Sequence, residues 1–280
     1  MLLGALALIW GSSFILIKRG LTAFTASQVG ALRIFAAFAV FLPVALWTLG
    51  RLPRGKWGYA LLSGLLGSLI PSFLFATAGT RLDSAISGTL NALTPMCTLL
   101  VGTAFFGQRL TPSRTLGLLL GLAGCAALTL VNARGDLSFG NSYVLLVLVA
   151  TLCYGFNLNL IKQYLGGLNP LHLASWALLG VGPVAGAYLF STDFVQRLRP
   201  EVLPTLGYVL TLGIVGTATA NVLFNKVIQL STPVFASSVT YLIPVVAVAW
   251  GVFDGERLLL SHYLGLAAIL LGVYIVNRKQ

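Results

Sequence analysis

Long apolar runs, separated by short segments that hold nearly every charge, decide what this chain can fold into. Charged residues make up 8% of its 280 positions and apolar ones 58%. A soluble domain carries about 25% charged residues, so this chain cannot keep a water-facing surface wet. That excludes a soluble globular protein, a disordered tail and a coiled coil. A membrane span needs about 20 mostly apolar residues. Ten such runs can be counted, at 2–17, 28–49, 57–79, 84–106, 113–132, 141–161, 170–190, 203–225, 233–253 and 261–277. Nothing is left over for a soluble domain. The run that opens at Leu2 reads as a first span and not as a removed leader.

The net charge of +11 invites a nucleic-acid reading. The positions exclude it. Lys18 and Arg19, then Arg51, Arg54 and Lys56, then Arg109 and Arg114 punctuate the apolar runs, whereas a nucleic-acid surface gathers its cations on one face. With the N-terminus in the cytoplasm, slightly more Lys and Arg fall inside, and all the acids fall outside: Asp83, Asp136, Asp193, Glu201, Asp254 and Glu256. The Lys/Arg bias sets orientation, so both termini are expected in the cytoplasm of a bacterial inner membrane. Cys97, Cys125 and Cys153 sit inside apolar runs without a CxxC spacing, and the chain has two His. No metal cluster, disulfide framework or cofactor is expected.

Internal similarity says more. Slid by 144 positions, Gly11, Leu16, Ile17, Lys18 and Leu21 meet Gly155, Leu160, Ile161, Lys162 and Leu165. Slid by 148, Gly107-Gln-Arg-Leu110 meets Gly255-Glu-Arg-Leu258, and Gly124 meets Gly272. Pro95 meets Pro244 at offset 149. Lys, Arg and Pro matching in order at nearly one offset point to two halves, 1–134 and 137–280, of five spans each. Five is odd, so the second half enters the membrane upside down. The expected fold is an all-α polytopic membrane protein of ten transmembrane helices in two inverted five-helix repeats. Such repeats recur in secondary transporters, with a site between the halves and alternating access to it.

Trp10-Gly-Ser-Ser-Phe, Ala31-Leu-Arg-Ile-Phe35, Leu93-Thr-Pro95 and Gly107-Gln-Arg-Leu-Thr111, echoed by Leu242-Ile-Pro244 and Gly255-Glu-Arg-Leu258, resemble the EamA family of the drug/metabolite transporter superfamily. The resemblance covers nearly the whole chain. It implies ten helices, two inverted repeats and export of small metabolites; characterised members include exporters of amino acids, aromatic ones among them. Gln108 stands where the family usually has Glu, whereas its repeat mate Glu256 keeps the acid.

Polar groups inside a span usually face the bundle interior. No Asp or Glu lies deep in any run, which speaks against a drug-cation antiporter built on a membrane carboxylate. What remains is neutral and aromatic. Trp10 and Ser13 share a helix face, as do their mates Tyr154 and Asn157 at offset 144. Asn221 and Asn225 share another, and offset 148 pairs them with Phe73 and Thr77. Asn91 and Thr240 correspond at offset 149, with Tyr241 adjoining. Together these form a candidate substrate cavity of aromatic walls and hydrogen-bonding amides and hydroxyls, suited to a small solute with an apolar body. Pro95 and Pro244 read as hinges or helix breaks. Arg33, the one cation well inside a span, is expected to snorkel or to pair with Asp83 at an outer gate. Gly117 and Gly121, with Gly265, Ala268 and Gly272, read as close-packing faces.

The leading function is export of small metabolites, amino acids first. A carrier of anionic, phosphorylated or nucleotide-linked solutes is the alternative within transport. An integral-membrane enzyme lacks its usual groups: there is no HExxH, no GxSxG and no carboxylate pair in a span. A structural membrane protein has no use for a full inverted repeat. The expected partners are a small-molecule substrate and the lipid bilayer, with the monomer as the functional unit and a homo-oligomer left open.

Overall fold

In the computed structural model, the described residues are 2–109, 111–130, 142–256 and 260–277. Among them the structure is helical, with no strand. A chain in lipid has no water for its backbone groups, so it must satisfy them within helices. The helical segments are α1 (Leu2–Gly20), α2 (Ala26–Trp47), α3 (Arg54–Ala78), α4 (Ser84–Phe105), α5 (Pro112–Leu130), α6 (Tyr143–Tyr164), α7 (Pro170–Ser191), α8 (Pro200–Leu230), α9 (Val239–Phe253) and α10 (Leu260–Asn277). Seven of them, α1 to α4 and α6 to α8, are long and apolar enough to cross a membrane, among the described residues. The chain is a multi-pass membrane protein. Each predicted run overlaps one of these segments, and the run 233–253 also takes in a short helix at Pro233–Ser237. The ends shift by a few residues: α1 runs on to Gly20 and carries Lys18 and Arg19, and α8 runs on to Leu230. The junction drawn between the halves at 134–137 lies outside the described residues.

Local chemistry sets several boundaries. Thr25 and Gln28 form a reciprocal capping box before α2, the Thr25 side chain accepting from Gln28 N and the Gln28 side chain from Thr25 N. Asn169 accepts from Leu171 N and His172 N ahead of Pro170, which opens α7. α4 and α9 are followed by Gly107 and Gly255, both in the left-handed region at φ 68° and 81°. There L side chains other than Gly are disfavoured. The next residue in each case turns back on its own helix: Gln108 N donates to Gly102 O at 3.0 Å, and Glu256 N to Gly251 O at 2.9 Å.

Two interruptions recur in both halves of the chain. α3 holds a π-helical stretch at Leu65–Leu69 and α8 another at Ile214–Thr219. α4 breaks at Ala92 and Leu93, just before Pro95. Upstream of Pro244, α9 opens as a 3-10 turn, Ser238–Tyr241. α2 packs along α7, α4 along α6 and α5 along α10. In the last pair the backbones nearly touch. A Cβ on Gly124 would stand 2.8 Å from Gly265 O, and one on Gly272 would stand 2.5 Å from Gly117 O. Small residues let membrane helices approach this closely, as their spacing predicts.

Candidate functional site

Eight residues on two helices trace the opposing walls of a cavity. α1 contributes Trp10, Ser13, Phe14 and Ile17; α6 contributes Tyr154, Asn157, Leu158 and Ile161. Each set has the i, i+3, i+4, i+7 spacing of one helical stripe, and the two sets differ by 144 positions throughout. The two π stretches each turn a glycine and a hydroxyl inward, Gly67 with Ser68 and Gly216 with Thr217. α8 adds Asn221, Phe224 and Asn225, α4 adds Asn91 and Thr94, Thr240 follows, and Arg33 comes from α2. The space between these atoms, mouth and adjoining open solvent included, is about 1010 Å³.

Of the predicted lining residues, Trp10, Ser13, Asn91, Tyr154, Asn157, Asn221, Asn225 and Thr240 are brought together here. Phe73, Thr77 and Tyr241 are not among the lining residues. Phe73 packs edge-to-face on Tyr188, ring centroids 5.8 Å apart. Phe75 takes its place, stacked on Tyr154 and edge-on to Phe14. The reason is register. The π stretches and Gly64 and Gly213 before them correspond at offset 149, one more than the 148 applied to this helix. A one-residue slip turns an α-helix by about 100°. At 149, Phe75 pairs with Phe224, and both line the cavity. Tyr241 follows Thr240 in a 3-10 turn, where neighbours point about 120° apart. Phe14, Phe75, Ser68, Thr217 and Phe224 were missed by sequence. Extending each polar pair along its helical stripe would have found Phe14 and Phe224.

Arg33 corrects a further expectation. It does not snorkel: it is 9% exposed and faces the cavity, its Nε donating to Thr217 Oγ1 at 2.7 Å. Thr217 in turn donates to Leu212 O at 3.2 Å, a carbonyl five residues back, as the π geometry allows. Asp83 is the residue before α4, and its side chain does not cap that helix. Trp10 Nε1 donates to Gly216 O at 3.0 Å, joining the first half to the π stretch of the second. Asn221 Nδ2 donates to Ser68 Oγ at 3.2 Å, joining the second half to the π stretch of the first. Asn157 Oδ1 is buried without a hydrogen-bond partner among the described residues.

More of the lining lies toward one end of the bundle, although Ile17 comes within a turn of the opposite end, at the C-terminus of α1. Ile161 lies within a turn of the end of α6, and Ala174 within about a turn of the start of α7. At the opposite end the helices are tied by charge. Lys18 Nζ stands 2.6 Å from Asp254 Oδ2 and 2.8 Å from Glu256 Oε1, and Arg19 also pairs with Asp254. Glu256 accepts from Ser84 N, Ser84 Oγ and Ala85 N at 3.0, 2.7 and 3.1 Å, and so caps α4 in Asp83's stead. Hydrogen bonding from Lys18 holds the Asp254 carboxyl below its usual range. Burial pushes Glu256 upward, but the bonds from Lys18 and Ser84 outweigh it and leave that carboxyl low as well. Gln28 adds a second tie at this end, donating to Asp193 Oδ1 at 2.7 Å.

The EamA-like transporter family matches residues 1–130 and 141–278. An uncharacterized transporter of Archaeoglobus fulgidus is 26% identical over 97% of this chain and 95% of its own length. The inner membrane transporter YedA of Escherichia coli, also described as uncharacterized, is 27% identical over 98% of this chain and 88% of its own. A probable terminal-alkyne amino-acid exporter of Streptantibioticus cattleyicolor is 25% identical over 96% of this chain and 90% of its own. A solved structure shares the fold at a TM-score of 0.69 and 19% identity, covering 99% of this chain and 95% of that one. With the family matched over nearly every residue, the chain belongs to the EamA-like transporters and is not an enzyme.

Proposed function

We propose that this chain is a secondary transporter that exports small metabolites, amino acids first, by alternating access. Ten spans form two inverted five-helix repeats, 1–134 and 137–280, and the solute binds between them. One observation carries this reading: the cavity is walled by matching stripes, Trp10 to Ile17 and Tyr154 to Ile161, one from each half. Matching π stretches, left-handed glycines and helix breaks at Pro95 and Pro244 support the repeat, as does the family's match to each half separately. The breaks serve as hinges. Aromatic walls with amides and hydroxyls suit an amino acid, and the Streptantibioticus relative is named as an amino-acid exporter. The membrane is a bacterial inner membrane with both termini in the cytoplasm. The tied end then faces outward and the cavity inward, the state that loads a solute for export.

Counterflow in proteoliposomes tests this. Vesicles are loaded with unlabelled amino acids, and entry of a labelled aromatic one is followed with and without a proton gradient. Saturable exchange that Asn225→Ala reduces by about tenfold or more, the scale of a lost buried hydrogen bond, is the expected result. No exchange by folded native protein would sink the amino-acid assignment.

A further inference from the structure

We infer that Arg33 is the anchor for an anionic head group, so that the transported solute carries a compact carboxylate or phosphate. The inference rests on the transport reading above and narrows its substrate. Arg33 is the only charged side chain lining the cavity among the described residues. It is held, not loose: Thr217 takes its Nε–H, and Thr217 is fixed by its own bond to Leu212 O. No Asp or Glu lines the cavity among the described residues. A buried guanidinium without an acid is costly unless something pays its charge. Its terminal amino groups match two oxygens of a carboxylate or phosphate in geometry and in sign. The counter-charge then arrives with the solute.

The rest of the cavity fits the other end of an amino acid. Asn157 Oδ1, buried and unpartnered, offers an acceptor to an ammonium group. Trp10, Phe75 and Tyr154 offer aromatic surface to a cation or an apolar body. Export of a purely cationic solute is disfavoured by the same arrangement, since Arg33 would repel it with no acid to offset the charge.

The test compares four phenyl ligands that differ in their charged groups with one compact phosphate. The full chain in detergent is titrated by calorimetry, with thermal shift alongside, against L-phenylalanine, L-phenylalaninamide, phenethylamine, phenylpyruvate and glycerol 3-phosphate. Native protein should bind at least one acid about 10- to 100-fold more tightly than its uncharged or cationic counterpart, the scale of a charge-assisted bidentate bond. Arg33→Gln should bring that preference close to 1. Arg33→Lys, which keeps the charge but not the fork, should retain part of it, and Thr217→Val should weaken it. Retained binding of phenethylamine by Arg33→Gln shows that the variant is folded. Arg33-dependent binding of phenylpyruvate or glycerol 3-phosphate without L-phenylalanine upholds the anchor and removes the amino-acid assignment. Binding of the amide and amine but no acid, binding of none of the five, or an acid preference that survives Arg33→Gln overturns it. Acids that bind but do not exchange across vesicles leave the anchor standing and sink the transport reading instead.

Discussion

At one end of the molecule Lys18 meets two carboxylates, Asp254 and Glu256. At the other its counterpart Lys162 meets three backbone carbonyls, Ser231 O at 2.6 Å, Ile228 O at 3.3 Å and Gln229 O at 3.4 Å. The difference traces to one position. Glu256 caps α4 and holds Lys18, whereas Gln108, its counterpart, donates to Asn159 Oδ1 at 2.8 Å and has no charge to hold a lysine. Lys162 turns instead to the carbonyls at the end of α8, where a cation is favoured by the helix dipole. Matching scaffolds are therefore closed by unequal chemistry. The charged lock has a half-exposed lysine over a carboxylate whose side chain is 2% exposed. It is the stronger one, and it lies at the end away from most of the cavity's lining.

The most damaging way to break this asymmetry is to strand the acids. Lys18→Met leaves Glu256 buried without its cation. Removing one partner of a fully buried pair costs about 3–5 kcal/mol; Lys18 is 37% exposed on its side chain, so screening reduces this to roughly 1–2 kcal/mol. A Cys placed at Ser87, in a background without the native cysteines, should react with a membrane-impermeant maleimide about tenfold faster. Unchanged labelling would show that the ion pairs do not hold this end shut. Glu256→Gln makes the charged end copy the neutral one and is gentler. It keeps acceptor capacity for Ser84 while dropping the charge, and it should raise the same labelling severalfold.

The reverse change sharpens the comparison. Gln108→Glu gives the other end an acid beside Lys162. It should favour closure there and slow exchange by a few-fold, an effect of about 1 kcal/mol or less for a partly exposed pair. Faster exchange would contradict the lock. The smallest effect is that of pH. Asp254 and Glu256 are held below their ordinary values of 3.8 and 4.5. Their contribution is fully present above those values and is lost as pH falls through the lower, folded ones. Labelling at Ser87→Cys should be flat from neutral pH down to about 5 and rise only under stronger acid, and Glu256→Gln should flatten that rise.

That the chain is helical and multi-pass was readable because lipid leaves a chain one solution, a run of apolar residues long enough to span. Trp10, Ser13, Tyr154 and Asn157 were readable for a second reason: each polar residue had a mate at a fixed offset. Phe73 and Thr77 show the limit. Leu and Gly are too common here to reveal a one-residue shift, and a π stretch has no strong residue signature, so offset 148 pointed to the wrong face of α3. Arg33 shows another. From sequence it was a cation inside a span that should reach for the headgroups or for Asp83. Only the packing of α2 on the π stretch of α8 turns it to Thr217. The ion-pair lock was half visible, since Lys18 and Glu256 were both matched to mates without anything to say that they touch.

The π stretches also carry a chronology. Each holds one residue more than an α-helix needs, and each falls at the same place in its half and contains a glycine and a hydroxyl that face the cavity. If the halves descend from one doubled gene, that extra residue was already present in the single ancestral half, as were the left-handed glycines after α4 and α9. The acid was not kept so evenly. On that descent Gln108 and Glu256 parted after the doubling, which makes the cavity's shape the older inheritance and the unequal closing of its two ends the younger one.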